Sequence, residues 1–535
     1  MSAMFPAGQL QARARAFSVF VLCAALTACG GGGSSGSGSG AATSSTAGAT
    51  GATSAAAAPA FAIALSVSGP GTVTSSPAGI SCSGTNECTG TFKNGTTVTL
   101  HANSSTGASI SSWGGDCAGN NNACTLQATD GRKVTVAFVG GSASGSASAS
   151  NLSIRVSGNQ LIDVKGNPVQ LRGVNISGLE TVAIQGWDPA NPWGGVTGDA
   201  TPNWNMIKTW GANAVRLPLN EASWLGLSCV DVAGIGSVVK NGVKTADAPG
   251  TTINADPGSN YQATVAASVA SASAAGLYVI LDLHWTAPGN ACPMAQNPMA
   301  DDDHSIAFWT SVAKTFKGDP NVIFELFNEP YLFWLGANET DWGVLQNGGG
   351  ETQYVTGGTP YQVALNWTAA GMQQMVDAVR ATSATNVILS SGVNWAKDLS
   401  SWLVNKPNDP LHQLGAVWHA YPAYGTTFGT PAYIQPDYAP QIWSNVTGIL
   451  AAGYPVVITE YGDHDAPGTT SAPFASNLLP WADLHGVSYM GWTWDLWQNA
   501  DNVLITDEAG APTPGFGVYV RAHYLCRAAG TATCP

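Results

Sequence analysis

The chain holds 535 residues, 44% of them hydrophobic and only 10% charged, with 19 Lys and Arg against 33 Asp and Glu for a formal net charge of −14. Such a length accommodates one large domain with additions, and the apolar fraction is enough for a sizeable core. The acidic balance argues against nucleic acid, whose phosphate backbone needs clustered Lys and Arg, and a neutral polysaccharide suits a chain with 19 Trp better.

Residues 1–29 read as an export signal. Arg13 and Arg15 supply a positive start, and Ala16 to Ala25 is an apolar run shorter than the roughly 20 residues a bilayer span needs. Leu26-Thr27-Ala28-Cys29 resembles the lipobox of bacterial lipoproteins, which makes Cys29 the expected lipidation site; the competing reading is a cleaved signal with an incidental cysteine. No later segment offers a transmembrane helix. Membrane contact is therefore expected only through the lipid, on an outer-membrane or cell-surface protein, with plain secretion as the alternative. Of ten cysteines, all but Cys23 and Cys29 follow the leader and reach an oxidising compartment. Cys82 with Cys88, Cys117 with Cys124, Cys526 with Cys534, and the remaining Cys229 with Cys292 make four disulfides the economical expectation. Zinc lacks a CxxC spacing or a nearby His cluster.

Residues 30–60 are almost entirely Gly, Ser, Ala and Thr, a composition that buries too little to order itself and suits a tether. A shorter linker covers 140–150. Between them, 61–139 is expected to be a small disulfide-linked all-β domain, with strands such as Thr96–Leu100 and Lys133–Phe138. Its stretches Gly69–Val73, Ser112–Gly115 and Val134–Phe138 resemble the small β-repeat domains of bacterial surface proteins. Trp113 either binds carbohydrate or sits in the core of a spacer, and the spacer is the favoured reading.

From 151 to 535 strands alternate with helices. Apolar runs at Val169–Val174, Ala212–Leu219, Leu277–Leu283, Val322–Phe327, Val387–Leu389, Gly415–Trp418, Val456–Ile458 and Val487–Trp492 suit strands buried on both faces. Thr201 before Pro202 is the expected cap of a first helix, and Gly211, Gly276, Gly318, Gly453 and Gly486 are expected to end helices in the left-handed conformation. Eight such units point to an α/β fold, a (β/α)8 TIM barrel. Leu152–Val164 reads as a hairpin over its N-terminal face.

Reactive groups in such barrels come from the C-terminal ends of strands. Strand four ends Phe324-Glu325-Leu326-Phe327-Asn328-Glu329-Pro330 and strand seven Ile458-Thr459-Glu460-Tyr461-Gly462, each with a Glu at its tip, where an unpaired carboxylate is costly. The competing reading, rim carboxylates paired to Lys or Arg, is weakened by the scarcity of cations. Glu325, inside its strand, reads as a paired structural group. The other tips bring Arg216, His284, His419, Tyr421 and Trp492 to the same level.

These motifs make residues 151–535 resemble glycoside hydrolase family 5, the cellulase-type retaining enzymes. The resemblance implies Glu329 as general acid/base and Glu460 as nucleophile, with Arg216, His284, Asn328, His419, Tyr421 and Trp492 in support; Trp494 is the alternative to Trp492. Glu329 must then start protonated, which calls for surroundings that raise its pKa. Trp187, Trp193, Trp224, Trp285 and Trp334 are candidates for outer sugar subsites or for loop core. The chemistry needs no cofactor and no metal. Asp301-Asp302-Asp303-His304 cannot all face one ion and reads as a helix N-terminus. An endo-β-1,4-glucanase acting as a monomer is the default expectation. β-mannan, xyloglucan, β-1,3-glucan or an exopolysaccharide are alternative substrates, since insertions at 221–259 and 331–360 depart from a compact cellulase. A non-catalytic glycan-binding surface protein is the reading from another class, opposed by the intact pair of glutamates.

Overall fold

A computed structural model describes residues 60–140 and 152–535, apart from 69–70, 84–86, 105–107, 119–120, 130, 182–192, 194–201, 233–236, 241–242, 247–249, 257–258, 294–295, 332–341, 357–361, 423–439, 464–471, 497–501, 508 and 532. The leader and tether, with Cys29, and the candidates Trp187 and Trp334 lie outside the described residues. Two compact units divide the chain, Met1–Asn103 with Ile110–Val139, and Ser104–Ser109 with Gly140–Pro535.

In the first unit eight strands form two four-stranded sheets. Alternation drives them: Gly71–Ser76 buries every second residue, as a sheet with one face on a core requires. Ile63, Leu65, Val73, Val98, Leu100, Val134, Val136 and Phe138 form that core together with Trp113. The Trp113 ring is 5% exposed and its indole N–H donates to the Asn121 carbonyl at 2.7 Å, so it packs the interior and offers no face to a sugar. Cys82–Cys88 and Cys117–Cys124 are bonded here, and Cys229–Cys292 and Cys526–Cys534 in the second unit.

In the second unit eight parallel strands close in chain order: β1 (Arg172–Asn175), β2 (Ala214–Asn220), β3 (Tyr278–Trp285), β4 (Val322–Glu325), β5 (Ile388–Ser391), β6 (Leu414–Ala420), β7 (Val456–Tyr461) and β8 (Ser488–Gly491). β8 pairs back with β1, Val174 opposite Gly491. Each strand falls on one of the expected apolar runs or at its edge. β2 and β5 to β8 are buried at every residue, because the barrel interior takes one face and the helices the other. Among the described residues, helices surround them as α1 (Trp204–Thr209), α2 (Tyr261–Ala274), α3 (Ser305–Phe316), α4 (Met372–Ala381), α5 (Pro440–Ala451), α6 (Ala475–His485) and α7 (Phe516–Ala528), with the further short helices Glu221–Leu225 and Trp342–Asn347 in the connections. Between β5 and β6 only two single turns, Val393–Ala396 and Trp402–Asn405, make the crossover.

The hairpin is present as Arg155–Ser157 paired with Gln160–Ile162. Ile154, Val156 and Leu161 share an apolar cluster with Ala214, Tyr278, Ile323 and Val387, residues at the N-terminal ends of barrel strands or just before them, and so cover that end. Two expectations about helix ends need correcting. Asn203, not Thr201, caps α1: its Oδ1 accepts the Met206 N–H at 3.0 Å, within the range of a good cap. Gly211, Gly276, Gly453 and Gly486 take positive φ, but Gly318 does not. There α3 is stopped by Asp319-Pro320, since a proline disfavours helical backbone in the residue before it.

Candidate active site

Alternation along a strand decides which side chains enter the barrel. On β3 it sends Asp282 and His284 inward together, and on β2 it sends Arg216 inward. Arg216 is wholly buried and becomes the hub of the site. Its Nε and Nη2 donate to Glu325 at 2.8 and 3.0 Å, a bidentate pair. Nη1 reaches Glu460 Oε1 at 2.7 Å and Asn175 Oδ1 at 3.0 Å, and Nη2 reaches Asn328 Oδ1 at 2.7 Å. Asp282 lies 2.9 Å away as a further counter-charge. Burial disfavours the guanidinium, but Asp282, Glu325 and Glu460 outweigh it and drive its pKa well above the ordinary value.

The two tip glutamates have separate partners. Glu460, at the end of β7, accepts from Arg216 and from the Tyr421 hydroxyl at 2.8 Å, so both of its oxygens are held. Glu329 meets His419 Nδ1 at 2.7 Å. A carboxylate oxygen of Glu329 and one of Glu460 lie within 4.8 Å of each other. Burial disfavours a charged His419, yet the Glu460, Glu325 and Glu329 carboxylates prevail and push the imidazole up to about 10. The same contact decides Glu329. Burial would raise it, but the hydrogen bond and charge of His419, helped by Lys397 and His284, hold it below the usual glutamate value. The raised Glu329 expected from sequence is therefore not found, because a histidine from β6 stands against it.

His284 binds Asp282 Oδ2 through Nδ1 at 2.6 Å, and burial followed by the Arg216 charge lowers its pKa, so it stands as a neutral ring. Trp492 stacks parallel to it, with centroids 5.8 Å apart. Trp494 is instead 7% exposed and packs edge-on against Trp210, so of the two tryptophans it is Trp492 that stands beside His284.

Every site residue expected on the barrel thus converges at the C-terminal ends of its strands. Asp282, Thr459 and Asn175 were not singled out from sequence. Of these, Asp282 was legible, since it shares a strand face with His284. Two of the outer tryptophans turn out to be core. Trp193 is 3% exposed and donates to Ser268, and Trp224 packs against Phe308 and Phe316. Trp285 is half-buried against the Cys229–Cys292 cluster.

Two groups of described residues have a spacing suited to a metal ion, Glu329 with His419 and Glu460, and Glu221 with Asp301 and His304. Asp301 and His304 do share one side of their turn, while Asp302 and Asp303 are exposed. Asp301 also accepts the His304 N–H at 2.8 Å, so the three aspartates lie just before α3, whose N-cap is His304 and whose first turn holds no acidic residue.

A family model for cellulase (glycosyl hydrolase family 5) matches residues 162–498. Endoglucanase C of Evansella cellulosilytica is 24% identical over 348 residues, 63% of this chain and 34% of that protein. Endoglucanase N of Pectobacterium atrosepticum is 24% identical over 349 residues, 64% of this chain and 56% of that protein. A mannan endo-1,4-beta-mannosidase of Streptomyces lividans is 24% identical over 167 residues, 30% of this chain and 39% of that protein. The chain thus spans between a third and just over half the length of these relatives.

Proposed function

Since the chain belongs to glycosyl hydrolase family 5, we propose that it hydrolyses a β-linked polysaccharide with retention of configuration, by double displacement on Glu460 and Glu329. One observation carries this reading: carboxylate oxygens of the two residues lie within 4.8 Å of each other. Retaining enzymes need their carboxyl groups about 5–5.5 Å apart, whereas inverting ones leave roughly 6.5–9.5 Å to admit a water.

Glu460, charged and held by Arg216 and Tyr421, attacks the anomeric carbon. The proton carried between His419 and Glu329 passes through Glu329 to the glycosidic oxygen, and the leaving sugar departs. Glu329 then removes a proton from the water that attacks the same carbon and frees Glu460. Asn328 commits its Oδ1 to Arg216, which leaves its amide N–H groups for a sugar hydroxyl. The exposed part of Trp492 offers a flat face to a pyranose ring. β-1,4-glucan is the first substrate to test, as two of the relatives are named endoglucanases. The relative named as a mannosidase makes mannan the second. The first unit serves as a spacer, which the burial of Trp113 supports. Export with a lipid on Cys29 completes the reading, and no helix among the described residues is long and apolar enough to cross a membrane.

Glu329→Gln and Glu460→Gln are expected to keep the fold, read by circular dichroism, and to lose activity by about three orders of magnitude or more on carboxymethylcellulose or mannan. Turnover near wild type in either variant contradicts the assignment.

A further inference from the structure

Beneath the two glutamates runs a buried chain of hydrogen bonds that the reaction as written uses only at its Glu329 end. His419 Nδ1 faces Glu329 Oε1 at 2.7 Å. On the other side of the ring, Nε2 lies 3.0 Å from the Thr459 hydroxyl, which lies 2.9 Å from Glu325 Oε1. Nε2 is 3.7 Å from Glu325 itself, too far for a direct bond, so the hydroxyl bridges them. His419, Thr459 and Glu325 all have no exposed surface.

The direction of each bond follows from what each group can do. Glu325 is gripped at both oxygens by Arg216 and is an acceptor only. The Thr459 hydrogen therefore points at Glu325, and the hydroxyl presents a lone pair to Nε2. Nε2 must carry hydrogen in every protonation state of the ring, because a bare Nε2 would leave two acceptors face to face in a dry interior. Only Nδ1 is free to gain or lose a proton, and Nδ1 is the atom against Glu329.

We propose that Thr459 and Glu325 are positioning residues that lock His419 as the Nε2–H tautomer, so that its Nδ1 and Glu329 share the one proton delivered to the glycosidic oxygen. The proposal rests on the reading of Glu329 as the acid/base. In the first step the shared proton passes from Nδ1 to Glu329 and on to the departing oxygen, leaving a neutral His419 and an ionised Glu329, while the C–O bond breaks and Glu460 bonds the carbon. In the second step the proton taken from water returns to the pair. The titratable groups around His419 are Glu325, Glu329, Glu460 and Asp282, and those around Glu329 are His419, Lys397, Glu460, Asp282 and the neutral His284. Thr459 acts on none of them by charge, so its removal tests the tautomer and not the net field.

Without the hydroxyl, Nδ1 can hold the hydrogen of the neutral ring. It then donates permanently to the Glu329 carboxylate and disfavours the acid form. Thr459→Val is expected to lower kcat/KM on the polysaccharide about 30-fold or more and to move the alkaline limb of its pH profile to lower pH by about one unit. Thr459→Ser should restore both. The loss should shrink on a dinitrophenyl β-glycoside, whose leaving group needs no proton. Nitrogen NMR of the full chain labelled at histidine, with His419→Gln for assignment and followed up to the pH at which the ring deprotonates, should show the proton leave Nδ1 while Nε2 keeps its own in the wild type. An unprotonated Nε2 there overturns the proposal, and so does an unmoved alkaline limb in a folded Thr459→Val or a Ser variant as impaired as Val. If Val does not fold, the Ser variant and the wild-type spectrum decide. Activity near wild type in Glu329→Gln would instead refute the acid/base reading, a separate outcome from any of these.

Discussion

Arg216 shows what a single side chain contributes here. It satisfies Glu325, Glu460, Asn328 and Asn175 at once from a site with no exposed surface. A lysine offers three donors at one point and cannot repeat the planar fork. Removing one partner of a buried pair costs about 3–5 kcal/mol, because the remaining charge stays dry. Arg216→Lys is therefore expected to lose about 3 kcal/mol in urea unfolding and at least a hundredfold in kcat, with KM little changed, since Glu460 is the group misplaced. A lysine variant with wild-type kcat would show that the fork is not what holds the nucleophile. The tip glutamates and their aromatic and basic neighbours were legible because each ends an apolar strand. Thr459 was not. Strict alternation puts it on the opposite face from Glu460, but the ladder slips beside it: His419 pairs with Glu460, and the register shifts between Trp418 and His419 and between Ile458 and Tyr461. That irregularity lets Thr459 and Glu460 serve the same site, and no local residue pattern announces it. Nor did strand position reveal that His419 would hold Glu329 below its usual range.

At the scale of elements the strands were easier to read than what connects them. A strand buried on two faces must be apolar nearly throughout, and that run is visible in any sequence. The crossover from β5 to β6 carries no comparable signal. Its first turn, Val393–Ala396, has Asn394, Trp395 and Ala396 at positive φ, a conformation residue types seldom disclose. In the insertion at 221–259 the described residues include Ser228–Asp231 paired against Thr251–Asn254, with Cys229 joined to Cys292 across the loops after β2 and β3. The insertion at 331–360 likewise forms the helix Trp342–Asn347 and a strand, Gly349–Thr356, paired with Gln362–Ala369. The tryptophans here misled for a physical reason. Trp193 lies in a loop and Trp224 in the short helix Glu221–Leu225 after β2, where an aromatic ring is as useful for covering its neighbours as for meeting a sugar, and only their burial of 97% or more separates the two uses.

For the whole molecule, the low charge content and residues 1–29, read as a leader, fit the proposed function: an exported enzyme for a polymer too large to enter the cell. Leu26-Thr27-Ala28-Cys29 predicts that labelled palmitate is incorporated into the wild type and not into Cys29→Ser; unlabelled wild type with a mature N-terminus elsewhere would replace anchoring by secretion. The central claim is the double displacement, and its stereochemical outcome tests it most directly. Proton NMR of the first sugar released from a soluble β-glucan or mannan oligosaccharide, recorded before mutarotation, should show the β-anomer. An initial α-anomer would mean a single inverting displacement, and the roles given to Glu460 and Glu329 would be wrong.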